Sequence, residues 1–434
     1  MRPQHRSGAA WRPWVLLAVF SLAGFLINAS TFYALGVVLP DMVRDQGWSW
    51  VEAGFGFTVL GAAVGSSSYF PALLIRRFGV RATLLLGAAV MMGGFACWSM
   101  VHGLALYFLG SALCGVGYQM VALIPGTHVI AAVFPRRGMP FSVYFACSAL
   151  GGVAGPWMVL GVMHGFHDDW RLLWRIQMAG ALLIGAACAA IAGGPAWLAR
   201  AADRTDKETL AEVAGPARGN VWRTAAAWSL RDAVRTPQYY ILLMAYFGHL
   251  LMGVTVSSLS VAHLTERGIT TTVAGAMLSL EALVQTGGRA VGGLLGDRFD
   301  PRYILVFALA ALSAGALALS IADGYPMMLL YAVGSGLGFG LTALAVTMLL
   351  LNYYGRKHNL EIFSLTCLVG TVSALGPTLG GFLRDRTGGF GTTFQLYAGV
   401  IAVVFVAAGL MRPPRKGGDA PDKRGGSAAL TPPG

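Results

Sequence analysis

Glu281, Gln285 and Arg289 recur at four-residue spacing in LSLEALVQTGGRAVGGLLGDRF, Leu278 to Phe299, inside a run otherwise apolar enough to cross a bilayer. On a helix this spacing puts all three side chains on one face. An arginine at the centre of a span costs about 2.5–3.5 kcal/mol on insertion scales, so it calls for a compensating role. Its guanidinium stays charged and presents a planar fork matched to a carboxylate. Gln285, one turn earlier, can share such a ligand. Glu281 lies two turns before Arg289, about 12 Å along the axis, too far for a direct bond within one helix. The chemistry expected of this stripe is anion binding at Arg289, with Glu281 a candidate for proton coupling. The structural alternatives are an arginine that neutralises an acid on a neighbouring helix or snorkels to the interface, and a glutamate that is a satisfied carboxylate or lies near the outer vestibule.

The elements that must hold this stripe follow from composition. The chain has 434 residues, 56% hydrophobic and 12% charged, against about 25% charged in soluble proteins. Apolar runs recur along the whole length, which predicts an all-α polytopic membrane protein. Twelve spans are expected, at 14–39, 50–75, 80–101, 104–133, 138–163, 172–198, 237–263, 271–296, 302–322, 325–351, 358–383 and 390–411. The domain reading is a tail at 1–13, a six-helix bundle at 14–198, a linker with a surface-lying helix at 199–236, a second six-helix bundle at 237–412 and a disordered tail at 413–434. The first run, Trp14 to Leu39, is too long for a cleaved signal and is expected to remain a helix.

A net charge of +12 invites a nucleic-acid reading, but 24 of the 31 Lys/Arg fall in alternate loops and the tails, and six in the opposite loops. That asymmetry is a topology signal. It puts both termini and the linker in the cytosol, and excludes nucleic acid as a partner. The five cysteines lie in apolar runs without CxxC spacing and read as packing residues. No HExxH, GxSxG, Walker loop or paired acidic metal site occurs, so neither an enzyme nor a nucleotide-driven pump is expected, and no cofactor or metal.

One offset, 221 residues, aligns several separate motifs: Arg77 with Arg298, Phe78 with Phe299, Arg81 with Arg302, Gly115 with Gly336, Gly117 with Gly338, Gly155 with Gly376 and Pro156 with Pro377. Two duplicated six-helix halves with a site between them are the expected arrangement. Gly288, Gly292 and Gly296 beside the stripe permit close helix packing.

The loops RRFGVRATLLLG and GGLLGDRFDPRYIL resemble the two copies of the major facilitator superfamily loop signature. The matching residues are Arg77 and Arg81 in the first copy, and Gly293, Asp297, Arg298 and Arg302 in the second. Arg76 stands where the first copy would carry an acid. The stretches GVVLPDMVRDQGWSWVEAGFGFT, AAVFPRRGMPFSVY and VAHLTERGITTTVAGAMLSLEALVQTGGRAVGGLLGDRF are similar to the oxalate/formate antiporter and monocarboxylate transporter branches. That resemblance implies two pseudo-symmetric bundles, with Arg289 at the position of an arginine that binds the substrate carboxylate. The eleventh span lacks the lysine of oxalate members, and Gln285 stands where monocarboxylate members often have an aspartate.

The first, fourth and seventh spans line the cavity in that superfamily. They bring Asn28, Thr31 and Tyr33; Tyr118, Gln119 and His128; and Tyr246 and His249. Tyr118 is the preferred hydroxyl partner for a carboxylate. His128 and His249 are candidate proton carriers, against the plainer reading of histidines that are simply hydrogen-bonded. The expected function is secondary transport of a small monocarboxylate, by proton symport or anion exchange, by a monomer in a bacterial inner membrane. The competing expectations are a proton-driven exporter of an amphipathic compound and a non-transporting receptor.

Overall fold

In the computed structural model the described residues are 11–134, 138–166, 169–192, 224, 228–296, 299–355 and 358–414. Ten helical stretches among them are long and apolar enough to cross a membrane. One of these, Trp50–Ser99, has 50 residues, about 75 Å of helix against about 30 Å of hydrocarbon. It doubles back at Gly79, whose φ of 82° and ψ of 166° break the helix. Both ends of the stretch then meet Tyr107: its hydroxyl donates to the Ala53 carbonyl (2.9 Å), and Trp98 Nε1 donates to the Tyr107 carbonyl (3.2 Å). With the 26-residue helix Thr271–Gly296 this makes twelve spans.

They are α1 (Arg12–Gln46), α2 (50–78), α3 (80–99), α4 (Leu104–Val133), α5 (Gly138–Gly165), α6 (Trp170–Ile191), α7 (Pro237–Glu266), α8 (Thr271–Gly296), α9 (Pro301–Ser320), α10 (Tyr325–Tyr354), α11 (Glu361–Thr387) and α12 (Gly391–Leu410). Polar caps start several of them. Ser49 and Glu52 form a capping box on α2, and Asp169, Thr236 and Asp300 accept from the first turns of α6, α7 and α9. Helix α1 runs past the end of its apolar stretch: Arg44 pairs with Asp41 at 2.9 Å, and Gly47, at φ 67°, closes the C-terminus. Of the expected linker, 199–236, the described residues hold one short helix, Leu230–Ala233, capped by Ser229 and Asp232; most of the rest, and the tail beyond 414, lie outside the described residues.

Pseudo-symmetry is visible in the packing. Gly115 on α4 meets the Leu60 carbonyl of α2, and Gly336 on α10 meets the Glu281 carbonyl of α8. Gly117 packs on Met91 just as Gly338 packs on Leu312. Each pair of contacts is related by the offset read from the sequence. In α1 a π turn at Ala29–Tyr33 marks one inserted residue. Gly155 approaches Ala29 while Gly376 approaches Leu251, a shift of one from the offset that holds on the other side of the π turn, where Gly36 meets Ser257.

The halves join along α1–α7, α2–α11 and α5–α8, at the end away from the termini. Gly54 lies against the Pro377 carbonyl and Gly381 against the Trp50 carbonyl. Thr58 Oγ1 donates to the Ala374 carbonyl (2.6 Å), and the Val51 N–H donates to Asp385 (3.1 Å). Trp50 stands edge-on to Phe390, and the Arg384 guanidinium lies 5.6 Å from the Trp50 ring centroid. Exposed apolar side chains such as Leu183, Phe307 and Val403 clothe the outer surface, which suits lipid rather than water.

Candidate functional site

A cavity of about 250 Å³ opens between the halves. The first half lines it with Asn28, Phe32 and Tyr33 from α1, Tyr118 and Leu123 from α4, and Phe145 and Ser148 from α5. The second half lines it with Gly253 and Ser257 from α7, Phe339 from α10, and Glu281, Gln285 and Arg289 from α8. The whole expected stripe therefore faces one space.

Arg289 reaches into the opening with an accessible side chain. Its guanidinium sits 5.6 Å from the Phe339 ring centroid, and no carboxylate of a described residue comes within 4.0 Å of it. The ring supplies a cation–π contact that leaves the fork free for an anion. Its charged and hydroxyl neighbours are Tyr33, Glu281, Tyr118 and Tyr246. Gln285 and Glu281 are buried beside it, and neither side chain hydrogen-bonds to another described residue.

The two π segments of the first half border this space. One carries Tyr33; the other, Gln119–Leu123, follows directly after Tyr118. Such one-turn expansions recur at functional sites because they redirect side chains. Gly152 leaves room for the Tyr33 ring. Tyr118 stands edge-on to Phe32, centroids 5.6 Å apart. Asn28 Nδ2 donates to the Ser148 carbonyl (2.9 Å), tying α1 to α5.

The remaining expected residues sit apart from the cavity wall. His249 is buried behind it, its ring 5.1 Å from Phe339 and 4.9 Å from Tyr246, and Tyr246 contacts Cys367 Sγ at 3.7 Å. Thr31 bonds back to the Ile27 carbonyl, and Gln119 Nε2 donates to the Val64 carbonyl of α2 (2.9 Å). His128 is exposed and is not among the lining residues. In the loop motif, Arg77 lies 5.4 Å from the Phe78 ring, Arg81 donates to the Ala190 carbonyl (3.5 Å) and Arg302 to the Ala408 carbonyl (3.4 Å). Gly293 lies in α8; Asp297 and Arg298 fall outside the described residues.

Comparison with known proteins agrees with this architecture. The family model described as Major Facilitator Superfamily matches residues 21–358 and again 241–433. The chain belongs to the Major Facilitator Superfamily. As a member it is a multi-pass membrane transporter rather than an enzyme. Monocarboxylate transporter 3 of Rattus norvegicus is 25% identical over 404 residues, covering 91% of this chain and 79% of the relative. Monocarboxylate transporter 11 of Homo sapiens is 27% identical over 431 residues, covering 92% and 83%. The transcription regulatory protein OpdE of Pseudomonas aeruginosa is 28% identical over 411 residues, covering 91% and 92%.

The sequence reading did not single out Phe339, Phe145, Ser148 or Ser257. Phe339 had a signal: it is the lone aromatic in GLGFGLT, and Gly253 on α7 lacks the Cβ that would overlap its ring. Phe145 and Ser148 look like any other residues of an apolar span.

Proposed function

We propose that this superfamily transporter carries a small monocarboxylate, bound through its carboxylate to Arg289. The observation that supports this most is a guanidinium facing the inter-half cavity without a carboxylate partner among the described residues. A carboxylate there receives two parallel N–H donors. The Tyr33 and Tyr118 hydroxyls stand near the same charge and can donate to the second oxygen. Phe32, Phe145 and Phe339 offer apolar surface to a short tail. A cavity of about 250 Å³ falls below the roughly 300–1,000 Å³ of drug-sized sites, so an acid of a few carbon atoms suits it better than a bulky amphipath. The relatives named for monocarboxylate transport support the same substrate class.

With both termini cytosolic, as the basic loops argue, the closed seam lies on the external side. A monovalent anion entering a negative-inside cell works against about 2.3 kcal/mol per 100 mV. Proton symport or one-for-one exchange removes that electrical cost.

The test is uptake of labelled lactate, formate, pyruvate and oxalate into liposomes holding the purified protein, with and without a pH gradient, for wild type and Arg289→Gln. Uptake of at least one monocarboxylate by wild type, lost in the variant, is expected. Undiminished uptake in the variant would remove Arg289 from the binding role. Binding without uptake or counterflow in wild type would favour a receptor.

A further inference from the structure

We propose that Gly253 on α7 is a positioning residue for Arg289, because it seats the Phe339 ring on which the guanidinium leans. This rests on the carboxylate reading of Arg289 and adds the residue that fixes where the cation stands. A Cβ on Gly253 would overlap Phe339 Cε2 and Cδ2 and stand 2.7 Å from Cζ. The ring therefore fills the space that any side chain at 253 would need. His249, one turn earlier on the same face of α7, has its ring 5.1 Å from Phe339. The Arg289 guanidinium lies over the Phe339 ring, 5.6 Å from its centroid. Gly253, Phe339 and Arg289 come from three helices and line one cavity.

The helix that carries the ring cannot shift to relieve such an overlap. A Cβ on Gly336 would lie 2.6 Å from the Glu281 carbonyl oxygen, and one on Gly340 2.5 Å from that of Gln285, so α10 meets α8 backbone to backbone on both sides of Phe339. Gly338 packs on Leu312 of α9. What remains free is the side chain itself, which has only a few staggered positions. Gly253 opens the one that lays the ring back against α7. With that space filled, the ring must turn off α7, and a cation–π contact needs the cation within about 6 Å of the centroid. A long side chain such as arginine loses rotamer freedom when a ligand fixes it. Leaning on a seated ring removes part of that freedom before the anion arrives.

Close helix packing does not account for this glycine. The three atoms nearest a Cβ at 253 all belong to the Phe339 ring, whereas a Cβ on Gly36 would strike the Ser257 carbonyl of the facing helix. A glycine inside a helix also weakens it relative to alanine. The duplicate half shows what the position does otherwise. At the offset of 221, Phe339 corresponds to Tyr118, Gly253 to Phe32 and Arg289 to Ser68. There both positions carry rings, edge-on with centroids 5.6 Å apart, and both rings line the cavity. In the second half one ring is gone and the other lies in the space it leaves. The vacancy occurs in the half that has a cation to hold.

The experiment measures equilibrium binding of labelled formate and lactate to the purified full chain, with melting temperature as the check on folding. Gly253→Ala should weaken both acids by at least about fivefold, the order expected for losing a partly desolvated cation–π contact. Formate has no tail, so an equal loss for the two acids puts the effect at the carboxylate. A loss for lactate alone would make the displaced ring an obstruction and overturn the proposal. Two backgrounds test the route. In Phe339→Leu, which lacks the ring, and in Arg289→Gln, adding Gly253→Ala should change affinity by less than about twofold. The full fivefold cost in either background overturns the proposal. Should Gly253→Ala fail to fold, its double variant with Phe339→Leu decides the matter. Recovery of folding, with formate affinity matching Phe339→Leu alone at about threefold or more below wild type, supports the proposal. A double variant that stays unfolded, or a Phe339→Leu that binds formate like wild type, overturns it. If Arg289→Gln alone binds both acids like wild type, the carboxylate reading beneath the proposal falls instead.

Discussion

On α2, Leu60, Val64 and Ser68 occupy the positions that Glu281, Gln285 and Arg289 occupy on α8. The surroundings correspond closely: Gly115 meets the carbonyl of Leu60 and Gly336 that of Glu281. Val64 and Gln285 are likewise each approached from the neighbouring helix, by the Gln119 amide in one half and by Gly340 in the other. Duplication supplied one scaffold twice, and the charge entered one copy. The first half contributes the hydroxyls and rings of Tyr33, Tyr118 and Phe32, set by π turns; the second contributes the charges. Alternating access needs both, because a ligand held by two halves can be released when either rotates away.

The largest effect that breaks this division is expected at Arg289. Arg289→Gln keeps a donor but loses the charge and the fork, and lactate affinity should fall by on the order of 100-fold, equivalent to about 2.7 kcal/mol. Arg289→Lys restores the charge without the planar fork, and about tenfold of that loss should remain. Equilibrium binding of labelled lactate to the purified protein measures both. Equal affinities for wild type and Gln variant would place the anion elsewhere. In the first half, Tyr118→Phe removes one neutral donor and should cost only about three- to tenfold by the same assay.

A second contrast separates the two lateral seams. Gly54 on α2 and Gly275 on α8 are equivalent, as are Pro377 and Pro156. Yet Gly54 lies against the Pro377 backbone, where a Cβ cannot fit, whereas a Cβ on Gly275 would sit 3.3 Å from Leu160 Cδ1 and 3.5 Å from Pro156 Cβ. The α2–α11 seam closes backbone to backbone; α5–α8 closes through side chains that can yield. Gly54→Ala should therefore shift the population toward the opposite-facing state, about tenfold for each 1.4 kcal/mol of clash. Gly275→Ala should change it by less than about twofold. Maleimide labelling of Val51→Cys, placed at the closed end of the seam, reads this shift. Equal labelling in both glycine variants would show that the seams close alike.

Much of this was legible in the residues. The offset that pairs Arg77 with Arg298 and Pro156 with Pro377 carried the duplicated fold, because close approaches at Gly115 and Gly117 demand the same residue in both copies. The stripe on α8 was legible because helical periodicity alone puts its members on one face. The supporting groups were not. Phe145 and Ser148 are ordinary residues of an apolar span, and their place on the cavity wall depends on how α5 packs against α1 and α8. Gln119 and Thr31 were read as cavity candidates from being polar in the right spans, but a π turn and a neighbouring carbonyl direct them elsewhere. His128 lies beyond the π turn of α4, where the register of the cavity-facing side chains has shifted.

The smallest effect sharpens the comparison where the two halves do the same thing. Arg81 and Arg302 are duplicates, and each reaches the C-terminal carbonyls of the last helix of its own half: Arg81 to Ala190 at 3.5 Å, Arg302 to Ala408 at 3.4 Å and also to the Gly409 carbonyl. A cation at the end of a helix is attracted by its dipole and adds a donor to its terminal carbonyls, an effect of about 0.3–1 kcal/mol at an exposed site. Both arginines are therefore expected to act as helix clamps whatever they do in the transport cycle. Arg302 makes the fuller contact. Arg302→Ala should lower the melting temperature of the purified protein by about 1–4 °C and Arg81→Ala by less, in proportion to these energies. Lactate counterflow should be nearly unchanged in both. A large transport defect without any loss of stability would assign these arginines to gating instead, and would separate the loop signature from the helix ends it touches here.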